Sequence, residues 1–263
     1  MHDMYTMLSK RMNLILFLGV IFWCAVFVHS STADDYLNKC ISSTNHKNVP
    51  GKEGKAMENY HCTPWQNKSC CTWNTTDNID KDGALSLYNI VWDQCPKIQN
   101  MSDKCKQHFK RDTCFYECSP NLGPWIVADT TSKKTRKERV RNVPICKSDC
   151  EAWFSDCSED YTCNDNWATG WDWSKKGTPA MCPKSCKKFK DYFSSAKQFC
   201  EKLFDGSFVY SENNENCMNM VPVGDNNVKV SEKKAEDLAS TAARIQQSIF
   251  GVLLSSLIYN LLF

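Results

Sequence analysis

The sequence predicts a single disulfide-framed globular domain, helical over several stretches, in a chain that leaves the cytosol. Three observations carry this reading: 17 cysteines among 263 residues, apolar segments at both chain ends, and aromatic side chains recurring at helical spacing. In a reducing compartment so many cysteines would have to hold metal. No C-x2-C pair recurs, and only His46, His61 and His108 follow residue 33, so metal ligation is not expected. The cysteines therefore read as bridges. With 32 basic against 30 acidic residues, no charge excess points to nucleic acid.

The ends define the frame. Residues 1–13 form a polar leader closing on Lys10 and Arg11, an apolar run covers Leu14 to Val28, and Ser31-Thr32-Ala33 is a small-x-small cleavage signal. Residues 1–33 are thus expected to be a signal peptide, and cutting after Ala33 removes Cys24. Sixteen cysteines remain, at positions Cys40, Cys62, Cys70, Cys71, Cys95, Cys105, Cys114, Cys118, Cys146, Cys150, Cys157, Cys163, Cys182, Cys186, Cys200 and Cys217. That even number allows eight bridges and leaves no thiol over. The last apolar stretch, from Ser248 to Phe263, falls short of the ~20 residues of a spanning helix. With the small residues Ser240-Thr241-Ala242 before it, it fits a lipid (GPI) attachment signal, Ser240 being the expected site and 241–263 the removed propeptide. The expected product is a tethered ectodomain on the outer face of the plasma membrane.

Between the ends, residues 34–221 read as one domain and the polar residues 222–240 as a stalk or a short surface helix. The sequons at Asn67, Asn74 and Asn100 mark three candidate glycan sites on exposed segments. Helices are predicted over 83–94, 102–118, 146–157 and 184–204. In the last, Phe189, Tyr192, Phe193, Ala196 and Phe199 share a face, a pattern that favours core packing. Ser119-Pro120-Asn121-Leu122-Gly123-Pro124 excludes α-helix over 119–130. Cys114/Cys118, Cys146/Cys150 and Cys182/Cys186 are i,i+4 pairs, each on one helical face, so they are expected to bond outward to other segments. Adjacent Cys70 and Cys71 should likewise take separate partners. The pairing itself is open.

No enzyme is expected. There is no G-x-S-x-G elbow and no H-E-x-x-H helix, and Cys70-Cys71 lacks the His-Asp and calcium loop of a secreted phospholipase. His108 and Asp112 lie one helical turn apart, but a base and its orienter need a nucleophile that the sequence does not supply. No cofactor and no metal are implied. Binding is better supported. Eight of the nine tryptophans follow residue 33, and Trp171 and Trp173 in Gly170-Trp171-Asp172-Trp173 would face one side of an extended segment. They make either a slot for a flat ring or two core side chains. The run from Lys133 to Arg141 holds six basic residues in nine, which reads as a solvated face, a heparin-like contact, or arginines presented to an anionic or carbonyl-bearing ligand.

Residues Asp112 to Trp125 (DTCFYECSPNLGPW) resemble the folate receptor family. So do Arg136-Lys137-Glu138-Arg139-Val140, Asn142 to Lys147, Tyr161-Thr162-Cys163, and Asn166-Trp167 followed by Gly170 to Trp173. The resemblance runs from about Cys40 to Cys217. It implies an α+β fold, mainly helical with short strands and eight disulfides, around a deep pocket that takes folate pterin-first. On that resemblance Asp112 is the pterin-reading carboxylate, Arg136 and Arg139 donate to the pterin oxygen, and Ser207 holds the same edge. Tyr88 and Tyr116 sandwich the ring, Trp92 lines the wall, and Gly170, Trp171 and Trp173 surround the aminobenzoate and tail. Thr135, Ala168, Thr169, Ile90 and Phe204 depart from the family pattern and thin the pocket mouth. The implied function is a monomeric surface receptor that takes up folate or a related pterin. A gamete-type receptor for a protein partner and a riboflavin carrier are the alternatives.

Overall fold

The computed structural model describes residues 31–81, 87–130, 137–174 and 180–262. Asp34–Ala235 form one compact unit. It is mainly helical with short strands, as the resemblance implied. Helix α1 spans Trp73–Asp80, α2 Asp103–Cys118, α3 Lys147–Cys157, α4 Phe189–Tyr192, α5 Ala196–Lys202 and α6 Asn226–Leu262. The strands are β1 (Ile126–Ala128), β2 (Glu138–Val140), β3 (Val143–Cys146), β4 (Tyr161–Thr162), β5 (Lys187–Lys188) and β6 (Phe208–Ser211). They make three two-stranded sheets: β1 with β2 and β4 with β5 are antiparallel, while β3 runs parallel to β6. A parallel pair needs a long crossover. Here α3 and α5 lie within that connection and pack on each other.

Helix α2 organises the core. The Ser102 hydroxyl caps it by accepting from the Cys105 N–H at 3.3 Å, and Asp103 sits in its first turn, where negative charge is favourable. It stops at Ser119 because Pro120 disfavours helical geometry in the residue before it; Ser119 is extended, at φ −64° and ψ 127°. Its inward face carries Cys105, Phe109, Asp112 and Phe115. Phe109 stacks on Trp167 at 4.2 Å and meets Trp153 edge-on at 5.2 Å. Trp153 is the buried centre of α3 and also meets Phe199 of α5 edge-on at 5.1 Å. Edge-to-face rings of this kind add about 0.5–1.5 kcal/mol per pair beyond their area. The predicted helices over 102–118 and 146–157 thus correspond to α2 and α3.

Two predicted helices need correction. Residues 184–204 are not continuous: β5, α4 and α5 divide them, with Phe193 extended and the Ser195 hydroxyl capping α5 through the Gln198 N–H at 3.2 Å. Two serines in a row offered a cap, and that local hydrogen bond prevailed over the periodicity. The aromatic stripe nevertheless packs as core, with Phe189, Phe193 and Phe199 all buried. Over 83–94 the described part, 87–94, is turn and bend, with Asn89 in the left-handed region at φ 54°. Residues 83–86 lie outside the described residues. The segment 119–130 holds no α-helix, only a 3-10 turn at Gly123–Trp125 followed by β1.

All sixteen cysteines pair: Cys40–Cys70, Cys62–Cys114, Cys71–Cys118, Cys95–Cys186, Cys105–Cys157, Cys146–Cys217, Cys150–Cys200 and Cys163–Cys182. The i,i+4 pairs bond outward, though only Cys114 and Cys118 share a helix, and Cys70 and Cys71 take different partners. Three bridges tie α2 to the segments before and after it, so the helix carrying the candidate site is fixed from several sides. Each bridge closing a loop of this size stabilises by about 2–4 kcal/mol.

At the C-terminal side, α6 begins inside the segment read as stalk or surface helix. Asn227 exchanges two hydrogen bonds with the backbone of Asn219, both 2.8 Å, and Val230, Ser231 and Ala235 are buried on the compact unit. Residues after Ala235 belong to a second unit. Among the described residues no helix is long and apolar enough to cross a membrane.

Candidate ligand-binding site

The site grows from the last two turns of α2. Asp112 is 4 % exposed, and its Oδ1 has no hydrogen-bond partner among the described residues. Burial, and after it the neighbouring Glu117 carboxylate, hold Asp112 well above the ordinary carboxylate range. A neutral carboxyl in such a place offers one donor and one acceptor along a single edge. A buried polar atom without a partner is costly, so Oδ1 marks a position where a water, an ion or a ligand would be stabilised.

Glu117 lies five residues on and is buried. The Tyr88 hydroxyl donates to its Oε1. Its Oε2 is 3.2 Å from Nδ1 of His46, an ion-pair distance without hydrogen-bond alignment. The other His46 nitrogen, Nε2, is 3.3 Å from the Tyr116 carbonyl, and the two rings meet edge-on at 6.0 Å. Tyr88 is 39 % exposed as a residue, yet its hydroxyl reaches inward to a buried acid. Burial first, then Glu117, push its phenol well above the usual range. Asp112, Tyr116 and Tyr88 therefore come together around Glu117. Glu117 and His46 are additions that sequence reasoning missed; Glu117 sits inside the Asp112 to Trp125 motif, whereas nothing local marks His46.

Trp92 is buried, stacked on Trp167 at 6.3 Å and tilted against Phe109 at 6.1 Å. Its indole N–H has no partner among the described residues. Trp171 is also buried, edge-on to Trp167 at 5.3 Å, and donates from Nε1 to the Trp167 carbonyl at 3.0 Å. Trp173 is 53 % exposed, so the two indoles of the expected slot have different surroundings. No ring contact joins them among the described residues.

Gly170 is required by close approach. A Cβ there would stand 2.4 Å from Asn164 Oδ1 and 2.6 Å from the Asn166 carbonyl. Its N–H already donates to that carbonyl at 2.8 Å, and the Ala168 and Thr169 N–H groups donate to Asn166 Oδ1 at 3.1 and 3.2 Å. Gly170→Ala is expected to cost about 1–3 kcal/mol, seen as a lowered melting temperature beside an unaffected Thr169→Ala. Equal melting temperatures for the two variants would contradict this.

Arg139 and Ser207 do meet, with Nη2 3.0 Å from the Ser207 hydroxyl. Both guanidinium ends are, however, already engaged: Nη1 donates to Asp205 Oδ2 at 2.8 Å, and Nη2 to the Phe204 and Asp205 carbonyls at 2.9 and 3.1 Å. Arg141 donates to the same Asp205 carboxylate at 3.1 Å. Asp205 and Gly206 turn the chain in the left-handed region, at φ 51° and 70°, which aims these acceptors at β2. Arg139 Nε is buried without a partner among the described residues. Arg136 and Thr135 lie outside the described residues. His108 turns from Asp112 to Asp156 at 2.9 Å and stacks on Trp153, so the helical-turn pair with Asp112 does not form. The sequon residues Asn67, Asn74 and Asn100 are all exposed. Among the described residues no group of three or more potential ligands is placed to hold a metal ion.

The model of the folate receptor family matches residues 39–219. Folate receptor gamma of Homo sapiens is 41 % identical over 189 residues, which is 71 % of this chain and 74 % of the relative. Folate receptor alpha of Homo sapiens is 38 % identical over 221 residues, 81 % of this chain and 82 % of that one. The riboflavin-binding protein of Gallus gallus is 28 % identical over 193 residues, covering 73 % and 75 %.

Proposed function

The chain belongs to the folate receptor family, a family of ligand-binding proteins rather than enzymes, and on that premise we propose that it is a lipid-anchored surface receptor that binds folate or a related pterin and mediates its uptake. The observation that supports this most is Asp112, a buried, unpartnered carboxyl beside Tyr88 and Tyr116. A 2-amino-4-oxo pterin presents an amine and a ring nitrogen side by side, and a neutral carboxyl answers both. Trp92 and Trp171, both packed on Trp167, are the flat apolar side chains that would line the rest of such a ligand.

Ala168 and Thr169, which depart from the family pattern, carry no charge, and their N–H groups are already used by Asn166. The glutamate tail therefore meets fewer charged partners, and selectivity shifts towards the pterin head. The test is calorimetric titration of the secreted 34–240 ectodomain with folic acid. Binding below micromolar supports the reading. A fully oxidised protein that binds neither folic acid nor a reduced folate refutes it.

A protein-recognition receptor on the same scaffold is favoured by one observation. Both guanidinium ends of Arg139 are engaged without a ligand, by Asp205, the Phe204 carbonyl and the Ser207 hydroxyl. Binding of riboflavin, measured by quenching of its fluorescence, would instead favour a flavin carrier.

A further inference from the structure

Among the buried polar atoms at this site that lack an aligned hydrogen-bond partner within the described residues are Asp112 Oδ1, Glu117 Oε2 and His46 Nδ1. The last two face each other at 3.2 Å, with side chains only 2 % and 1 % exposed. They come from different parts of the chain, His46 from the segment before α1 and Glu117 from the end of α2. A third part, residues 87–92, contributes the Tyr88 hydroxyl to Glu117 Oε1. Lys47, next to His46, turns away to the Gly51 carbonyl and Glu53, at 3.1 and 2.7 Å, so no lysine neutralises Glu117 from that side. The groups around Glu117 are thus His46, Tyr88, and Asp112 and Tyr116 of its own helix.

Glu117 gains little as a stabiliser in this place, since a buried acid carries a desolvation penalty that one bent contact to an imidazole does not remove. What it does achieve is geometric. Tyr88 is more than a third exposed, and a tyrosine so placed would otherwise sample several rotamers. The backbone beside it is tied, through Leu87 N–H to the Asn78 carbonyl at 3.1 Å and Ala180 N–H to the Asn89 carbonyl at 2.9 Å, but neither bond fixes the ring. The hydroxyl's bond to Glu117 is what points the ring inward.

We propose that Glu117 is a positioning residue that fixes Tyr88 as a wall of the ligand pocket, and that His46 holds Glu117 in place. This rests on the pocket reading above, yet it has a consequence that needs no ligand. Tetranitromethane nitrates tyrosines whose hydroxyl is free, and peptide mass spectrometry reports each site. In the full chain purified in detergent, Tyr88 is expected to be protected. Glu117→Leu, which removes the acceptor, should speed its nitration by about tenfold or more, and Glu117→Gln, which keeps an oxygen for the phenol, should leave it within about threefold of the native rate. Equal nitration in Glu117→Leu and the native chain overturns the proposal.

Folic acid titration supplies the second readout. Glu117→Leu and Tyr88→Phe should each weaken binding by about tenfold, and the double variant by no more than either alone, because both delete one contact. Multiplicative losses, or native affinity in Tyr88→Phe, also overturn it. A free-thiol assay confirms that all bridges have formed. If Glu117→Leu does not fold, Tyr88→Phe decides alone. A native chain that fails to bind folic acid refutes the pocket reading, and the nitration contrast still decides whether Glu117 anchors Tyr88.

Discussion

Asp112→Ala is expected to weaken folic acid binding about a hundredfold or more while the eight bridges form as before. The side chain is 4 % exposed and has no competing partner at Oδ1, so a ligand edge placed against it makes its bonds in an environment cleared of water. Truncation leaves the ligand's amine and ring nitrogen buried without partners, at about 1–3 kcal/mol each, and a paired edge loses two at once. Asparagine has the same shape and offers an N–H donor beside a carbonyl acceptor, as the neutral acid does. Asp112→Asn is therefore expected to bind at least about tenfold more tightly than Asp112→Ala. Equal loss in both variants would show that the ligand needs the ionised form.

The unliganded protein should respond in the opposite sense. Asp112 is raised above its ordinary value of 3.8, so the unfolded chain releases this proton at lower pH than the folded one does. Stability from this group is greatest in acid and declines as pH climbs through the window between the two values. Asp112→Asn removes that loss. At neutral pH the apo variant should melt above the native protein, and the gap should close as pH falls towards 4. A native protein as stable as Asp112→Asn at pH 7 would contradict the burial of this carboxyl. The site is thus expected to trade stability for ligand recognition.

Arg139→Ala is expected to be the most destabilising of these substitutions, by about 3–5 kcal/mol. Arg139 is 2 % exposed and links β2 to the Phe204–Ser207 turn through four hydrogen bonds. Its removal leaves the Ser207 hydroxyl without its donor, the Phe204 carbonyl with only the Ser207 N–H, and Asp205 with only Arg141. For a domain of this size, the melting temperature should fall by about 10 °C. Arg139→Lys should recover little, because one ammonium cannot span acceptors arranged for a planar fork. A double-mutant cycle with Asp205→Asn should show coupling. A melting temperature within about 2 °C of native in Arg139→Ala would mean that the turn is held by other bonds.

The same residues mark how much of the fold is legible in the amino-acid order. Helix α2 announces itself locally, through the Ser102 cap, an apolar face at helical spacing and Pro120 beyond its end. Asp112, Tyr116 and Glu117 are neighbours on that helix, so their proximity follows once the helix is placed. The break inside 184–204 is not legible, because Ser194 and Ser195 suit a helix surface and a helix cap alike. Their tertiary setting selects the cap. The partners of the site are further still from view: Tyr88 and Glu117 are 29 residues apart, His46 and Tyr116 70, and Arg139 and Asp205 66.

Local signals in the chain suffice to establish a bridged domain with an even set of cysteines, built around two well-marked helices, because caps, periodicity and prolines act over a few residues. Long-range packing alone selects which cysteines join, engages Arg139 with Asp205, and sets Glu117 between Tyr88 and His46. Those outcomes depend on which distant surfaces come together, and a buried polar group takes whatever partner that packing brings within reach.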